Sequence, residues 1–326
     1  MKKRCFSIFV AALLLLTACG QSAPAQEKGA KLTVVCTTYP IYLFASAVTE
    51  GVDGVEVVRL DTGSTSCLHD YNLTVNDMKK IERADVLALN GAGLEEFMED
   101  ALSTSDALVI DCSVGVELLE NEGHHHEEEE GDDGDDHEGH DHGHFDPHYW
   151  MDPDNAAVIV ENLSAALCEL DEANSMTYFH NMQSAVLTLT SLSAQLEDAF
   201  RAEWADSLEI PGLITFHDGF QYFAHAYDLP LLESIEEEAG SEASAKEIVE
   251  ITRLVNEYDI PVIFTEVNGS DATAKAIVRE TGCSIAQLSM VMDGPDDDLS
   301  NYVYAMMENM AAVINGFAEE EVVTLP

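Results

Sequence analysis

The chain has 326 residues, 46% of them hydrophobic, enough for sizeable cores and for two domains of ordinary size. Its 62 Asp and Glu against 14 Lys and Arg give a formal net charge of −48. That balance excludes nucleic acid, which needs a basic footprint, and leaves a solvated acidic surface that is compatible with cation binding.

At the N-terminus, Lys2, Lys3 and Arg4 precede an apolar run over residues 6–16, too short to span a bilayer comfortably. Leu16-Thr17-Ala18-Cys19-Gly20 follows. A small residue before a cleavage point marks a signal peptide, and a Cys there adds a thiol that can be acylated. The stretch resembles the lipobox of bacterial lipoproteins. It implies a signal peptide over 1–18 and a lipidated Cys19 that anchors the chain to the outer face of the cell membrane. Residues 19–31, rich in Ser, Ala, Pro and Gln, read as a flexible tether. No later run is long and apolar enough for a second span. Beyond Cys5 and Cys19 the thiols are Cys36, Cys67, Cys112, Cys168 and Cys283, an odd number that implies at least one free thiol outside the cytoplasm. The chain has no CxxC pair, so neither a zinc ribbon nor a redox motif is indicated.

From residue 32 the pattern alternates β and α. Runs 32–36, 55–60, 85–89 and 108–111 read as strands, and 41–48, 74–82 and 94–102 as helices. Strands separated by helices predict βαβ units and a parallel sheet. Residues 120–145 form a His- and acid-rich insert carrying His124, His125, His126, His137, His140, His142 and His144. It has almost no apolar residue, so burial cannot offset the entropy of ordering it, and it is expected to be disordered when metal-free. After Asp152-Pro153, residues 155–170 and 176–204 read as helices, the second with neither Gly nor Pro. The alternation then resumes, with strands at 213–216, 262–265 and 284–288 and helices at 245–257, 272–281 and 302–317. The predicted fold is α/β: two lobes, each a small, mostly parallel sheet flanked by helices. The lobes span 32–171 and 205–326, joined by one long rigid helix within 172–204.

Three histidines outside the insert, His69, His148 and His217, stand at strand ends or beside tight Pro turns. Ligands of doubly wound folds bind outside the carboxyl ends of the strands. Imidazole nitrogen is a preferred zinc donor, and a fourth donor would complete a tetrahedron. Asp293, in the loop after the last predicted strand, is one candidate; it reads equally as a turn aspartate before Gly294-Pro295. Asp296, Asp297 and Asp298 are close by, and Glu266 is a weaker candidate. His180 and His225 fall on predicted helices and read as structural.

Asp146-Pro147-His148-Tyr149-Trp150-Met151-Asp152-Pro153 is the most specific stretch. Leu68-His69-Asp70-Tyr71, Asn90-Gly91-Ala92-Gly93-Leu94-Glu95, Phe216-His217-Asp218-Gly219-Phe220-Gln221-Tyr222-Phe223 and Phe264-Thr265-Glu266 support it. On these, residues 32–317 resemble the zinc-type cluster A-I substrate-binding lipoproteins of ABC transporters. The resemblance implies His69 and His148 as ligands from the first lobe, and His217 and Asp293 from the second. It also implies a metal site in the cleft between the lobes, and closure by a small tilt. A His at position 217 favours zinc over manganese, since nitrogen-rich sets suit zinc and oxygen-rich sets suit manganese. The expected function is a monomeric, extracytoplasmic, high-affinity carrier with Zn2+ as transported ligand, delivered to an ABC permease and its ATPase, and not an enzyme. Two alternatives differ in class. One is a zinc-storing or adhesive surface lipoprotein whose insert does the work. The other is a zinc metallohydrolase with an open fourth position, against which the chain lacks HExxH.

Overall fold

A computed structural model describes residues 32–61, 71–121, 144–202, 208–234, 244–267, 269 and 271–325. The first sheet holds β1 (Leu32–Cys36), β2 (Val55–Arg59), β3 (Val86–Leu89) and β4 (Leu108–Asp111), all parallel in the order β2-β1-β3-β4. The second holds β5 (Leu213–Thr215), β6 (Leu231–Ser234), β7 (Val262–Glu266) and β8 (Ser284–Leu288), in the equivalent order β6-β5-β7-β8. The inner strands β3 and β7 are buried along their whole length; β3 is apolar throughout and β7 is apolar until Thr265 and Glu266 at its carboxyl end, as strands covered on both faces tend to be. In each sheet the strand order reverses between the two central strands, the kind of switch point outside whose carboxyl ends ligands bind.

The first-lobe helices begin where the sequence supplies caps. In α1 (Tyr39–Thr49) the Thr38 hydroxyl accepts from the Ile41 N–H at 3.3 Å. In α2 (Val75–Glu82) Thr74 and Asp77 form a reciprocal capping box. Residues 94–102, predicted as one helix, instead make a 3-10 turn (Glu96–Met98) followed by α3 (Glu99–Thr104). The start of that segment is diverted because Glu95 folds back to accept from the backbone N–H groups of Asn90 and Gly91, at 2.7 and 2.9 Å.

α4 (Pro153–Leu170) starts on an Asp152 cap with Pro153 in its first turn. A single 3-10 turn leads into α5 (Ser175–Phe200), 26 residues long and so roughly 40 Å at 1.5 Å per residue. Its buried residues Tyr178, Ala185, Leu189, Leu192 and Leu196 recur at helical spacing along one face. This is the predicted linking helix, ending at Phe200 rather than 204. It packs on α1 and α4 of the first lobe and on α9 (Ser300–Ala318) of the second. The second lobe is completed by α6 (Gln221–Ala226), α7 (Ala245–Glu257) and α8 (Ala272–Thr281).

The strand β6 and the helix α6 have no counterpart among the predicted elements. Among the described cysteines, Cys36, Cys112, Cys168 and Cys283 are free thiols. No described helix is long and apolar enough to cross a membrane. One apolar cluster runs through both lobes, from Val34 and Trp150 to Phe264, Met290 and Tyr302.

Candidate metal centre

The loops leaving the carboxyl ends of the two sheets meet each other. The first-lobe loop around His148 is stiffened by Pro147 and Pro153 and ends in a 3-10 turn (Tyr149–Met151). It is fastened on both sides. Within its own lobe, Asn90 Nδ2 donates to Pro147 O at 3.0 Å and the Tyr149 hydroxyl donates to Asn90 O at 2.5 Å. Asn90 is held in turn by Glu95, whose Oε1 also accepts from Thr37 at 2.6 Å. Burial pushes the Glu95 carboxyl up to about 7, against the lowering effect of these donors. Towards the second lobe, Trp150 Nε1 donates to Met290 O at 2.9 Å, the Tyr302 hydroxyl to Trp150 O at 2.6 Å, and the Tyr222 hydroxyl to Asp146 O at 2.9 Å.

His148 is only 5% exposed. Asp146 Oδ1 lies 2.7 Å from its Nδ1 and also accepts its backbone N–H at 2.8 Å. A carboxylate on Nδ1 makes that nitrogen the protonated one and leaves the Nε2 lone pair for a metal. The other oxygen of Asp146, Oδ2, is buried with no hydrogen-bond partner among the described residues.

His217, 3% exposed, stands two residues past the end of β5, whose Thr215 hydroxyl donates to its carbonyl at 3.0 Å. A Cβ on Gly219 would come within 2.1 Å of Met290 Cε and 2.9 Å of His217 Cδ2, so a larger residue there would push the methionine end or the imidazole aside.

The two imidazoles face each other across the lobes with ring centres 5.4 Å apart and planes at 82°. Two rings sharing one tetrahedral zinc, each centred roughly 3.2 Å from it, would lie about 5 Å apart. The observed pair fits that arrangement. Trp150 packs edge-to-face against His148, with ring centres 5.3 Å apart.

The remaining expected donors stand differently. His69 lies outside the described residues. The segment that carries it, 62–70, has both its flanking residues tied to one buried carboxylate, Asp77, which accepts from the Asp61 N–H at 2.8 Å and the Tyr71 hydroxyl at 2.6 Å. Burial works to raise Asp77, but the hydrogen bonds from Thr74, Tyr71 and the backbone outweigh it and hold the carboxyl below its ordinary range.

Asp293 is described, on the loop after β8, with Oδ1 bonded to Arg59 Nη2 at 2.9 Å. Glu266 ends β7 and is 6% exposed; β7 pairs with β5, so Glu266 leaves the sheet beside His217. Among the described residues no group of three His, Cys, Asp or Glu converges as a metal cage. Of the insert, His144 is described and the other six histidines lie outside the described residues. So does Cys19.

Sequence reasoning passed over Asp146, Arg59 and Glu95 as individuals. Asp146 was legible in principle, because Asp two residues before His148 is the spacing at which an aspartate accepts the backbone N–H and folds a turn.

The sequence profile of one protein family, the periplasmic zinc-uptake complex component A (ZnuA), matches residues 34–316. The chain belongs to this family.

Among ZnuA-family relatives, the high-affinity zinc uptake system protein ZnuA of Bacillus subtilis is 28% identical over 325 residues, covering 96% of this chain and 98% of that protein. The zinc-binding lipoprotein AdcA of Streptococcus pneumoniae is 29% identical over 327 residues. The zinc-binding protein AdcA of Streptococcus pyogenes is 29% identical over 274 residues, 79% of this chain. The chain spans only 60% and 50% of these two streptococcal proteins, about half their length. In structure it is similar to a zinc-bound variant of AdcAII from Streptococcus pneumoniae, with TM-score 0.72 and 25% identity over 89% of this chain and 99% of that one. Manganese-bound FpvC of Pseudomonas aeruginosa, with TM-score 0.72 and 24% identity over 89% of this chain and 99% of that one, shares the fold.

Proposed function

We propose that this chain captures one Zn2+ between its lobes outside the cytoplasm and hands it to an ABC permease driven by a cognate ATPase. The observation that carries the reading is the buried pair His148 and His217. They come from different lobes, meet at a zinc-compatible spacing, and one of them is already set in its metal-binding tautomer by Asp146. His69 and Asp293 complete the donor set, three neutral imidazoles and one carboxylate. With four protein donors zinc keeps no open position, so the site holds metal rather than activating water. Membership of a zinc-uptake family and the zinc-binding relatives support the same reading.

Cys19 carries the lipid that ties the carrier to the membrane. The His-rich insert collects zinc near the cleft. Its stem is an antiparallel bridge between Glu120 and Phe145, closed by the Asn121 N–H on His144 O at 3.1 Å, and re-enters the fold three residues ahead of His148.

Calorimetric zinc titration of the chain lacking residues 122–143, beside a His217→Ala partner, tests the reading. One tight zinc per chain, lost in the partner, is expected. No tight site after the deletion would move zinc binding to the insert and make the protein a zinc store or adhesin.

A further inference from the structure

The paired imidazoles are buried, and one apolar core runs through both lobes, so parting the lobes to reach them would expose that core. The loop leaving β8, residues 289–298, begins against the pair. Met290 borders the same space over Gly219 as the His217 ring, and its carbonyl takes the Nε1 of Trp150, which packs on His148. The two halves of the loop are held differently. The inner half is fixed to its own lobe: the buried Asn309 accepts the Ser289 N–H at 2.7 Å and donates to Ser289 O at 2.8 Å, and the Ser289 hydroxyl accepts the Val291 N–H at 3.1 Å. The outer half is seated on the first lobe. Arg59, the last residue of β2, donates Nη2 to Asp293 Oδ1 at 2.9 Å, and Tyr39, the first residue of α1, donates its hydroxyl to Asp296 O at 2.8 Å. Gly294 lies so close over the Tyr39 ring that a Cβ there would meet the hydroxyl oxygen at 2.0 Å. Asp293, Asp296, Asp297 and Asp298 crowd this half, and among the described residues Arg59 is the cation paired with it. Arg59 Nη1 has no hydrogen-bond partner among the described residues, so the pair rests on one bond rather than a fork. Between the halves stands Val291, buried, with φ 59°, a left-handed backbone that a β-branched residue keeps only under constraint.

We infer that this loop is a strap over the imidazoles: residues 293–298 release from Arg59 and Tyr39 by turning about Val291, and that local release, with the lobes fixed, opens the way to His148 and His217. The inference rests on the proposed function only in taking the imidazoles as the place to be reached, and it holds whichever residues are the further donors. Release costs little. The side chains of the ion pair are 28% and 42% exposed, and exposed pairs are weak. Four carboxylates repel one another along the freed segment, and Val291 leaves its strained conformation. The inner half stays behind, because its bonds to Asn309 and Trp150 are buried.

The test is the rate at which diethylpyrocarbonate labels His148 and His217 in the full, metal-free chain, read by mass spectrometry against the exposed His180 as internal reference. Arg59→Met is expected to speed labelling of both buried histidines about fivefold, the population change that loss of one exposed ion pair brings. Tyr39→Phe, which removes the hydroxyl that holds Asp296 O, is expected to act in the same direction, and the two together to exceed about tenfold. Arg59→Lys keeps the charge and speeds labelling less; if the Met variant fails to fold, Lys and Tyr39→Phe carry the test. The radius of gyration from solution scattering is expected to stay at the parent value in every folded variant. Labelling within about twofold of the parent in the folded variants would overturn the strap, since the change falls short of even one weak bond. Faster labelling with a swollen radius would overturn it too, by showing that the lobes part. The probe needs no metal, so a flat result would remove the strap and leave the zinc reading standing, while a failure of zinc to bind would not alter the labelling.

Discussion

At the scale of the residue, the side chains behind the imidazoles set what the imidazoles do. Asp146 spends one oxygen on both the ring and the backbone N–H of His148. Its removal frees the ring to rotate and to protonate on either nitrogen. Asp146→Ala is expected to weaken zinc by roughly 10- to 100-fold, read by chelator competition.

Glu95 acts one layer further out, through Asn90 to Pro147 and Tyr149. Its carboxyl is pushed from an ordinary value of 4.5 up to about 7 by burial. A raised carboxyl loses stability with rising pH: it is neutral in both states below about 4.5, while above about 7 the buried form must also ionise. The linked loss is on the order of 3 kcal/mol between those limits. Glu95→Gln, which sets an amide donor against the Gly91 N–H, removes this titration. The stability advantage of the parent over this variant is therefore expected to shrink from pH 4.5 to pH 7 in thermal melts. Parallel curves would contradict it.

At the scale of the element, much of the fold was legible, and the failures have local causes. The runs at 32–36, 108–111, 245–257, 272–281 and 284–288 coincide with their elements, because caps such as Ser244 and the left-handed Gly282 mark the helix ends. The linking helix was readable from an unbroken stretch without Gly or Pro, but not its end at Phe200, since nothing in the local sequence stops it there. Residues 94–102 carry a helical apolar pattern, yet Glu95 is diverted to a tertiary bond that periodicity does not register. The strand β6 is four half-buried residues after Pro230, too short for alternation to show. Of the site, the histidines were legible from residue type and strand ends, and the structure brings His148 and His217 together. The partner of Asp293 was not, because Arg59 lies 234 residues away in the chain.

Besides the linking helix, the 3-10 turn at Tyr149–Met151 ties the lobes together, through Trp150 Nε1 on Met290 O. Trp150→Phe leaves that buried carbonyl without its donor and is expected to lower stability by about 1–3 kcal/mol in denaturant titration. An unchanged midpoint would show that the bond adds nothing.

At the scale of the whole molecule, the continuous core and the linking helix make the two sheets one body with their carboxyl ends turned to each other. Its strong negative charge favours approach of cations in general, so charge alone does not select zinc. Selection belongs to the donors at the cleft. The central claim, one zinc held between the lobes by histidines, is tested most directly by zinc-edge X-ray absorption on the chain lacking residues 122–143, loaded with one equivalent. Four nitrogen or oxygen neighbours at about 2.0 Å, with the outer-shell scattering of three imidazoles, are predicted. A sulfur neighbour near 2.3 Å, or the signature of fewer than two imidazoles, would place the metal elsewhere and contradict the account.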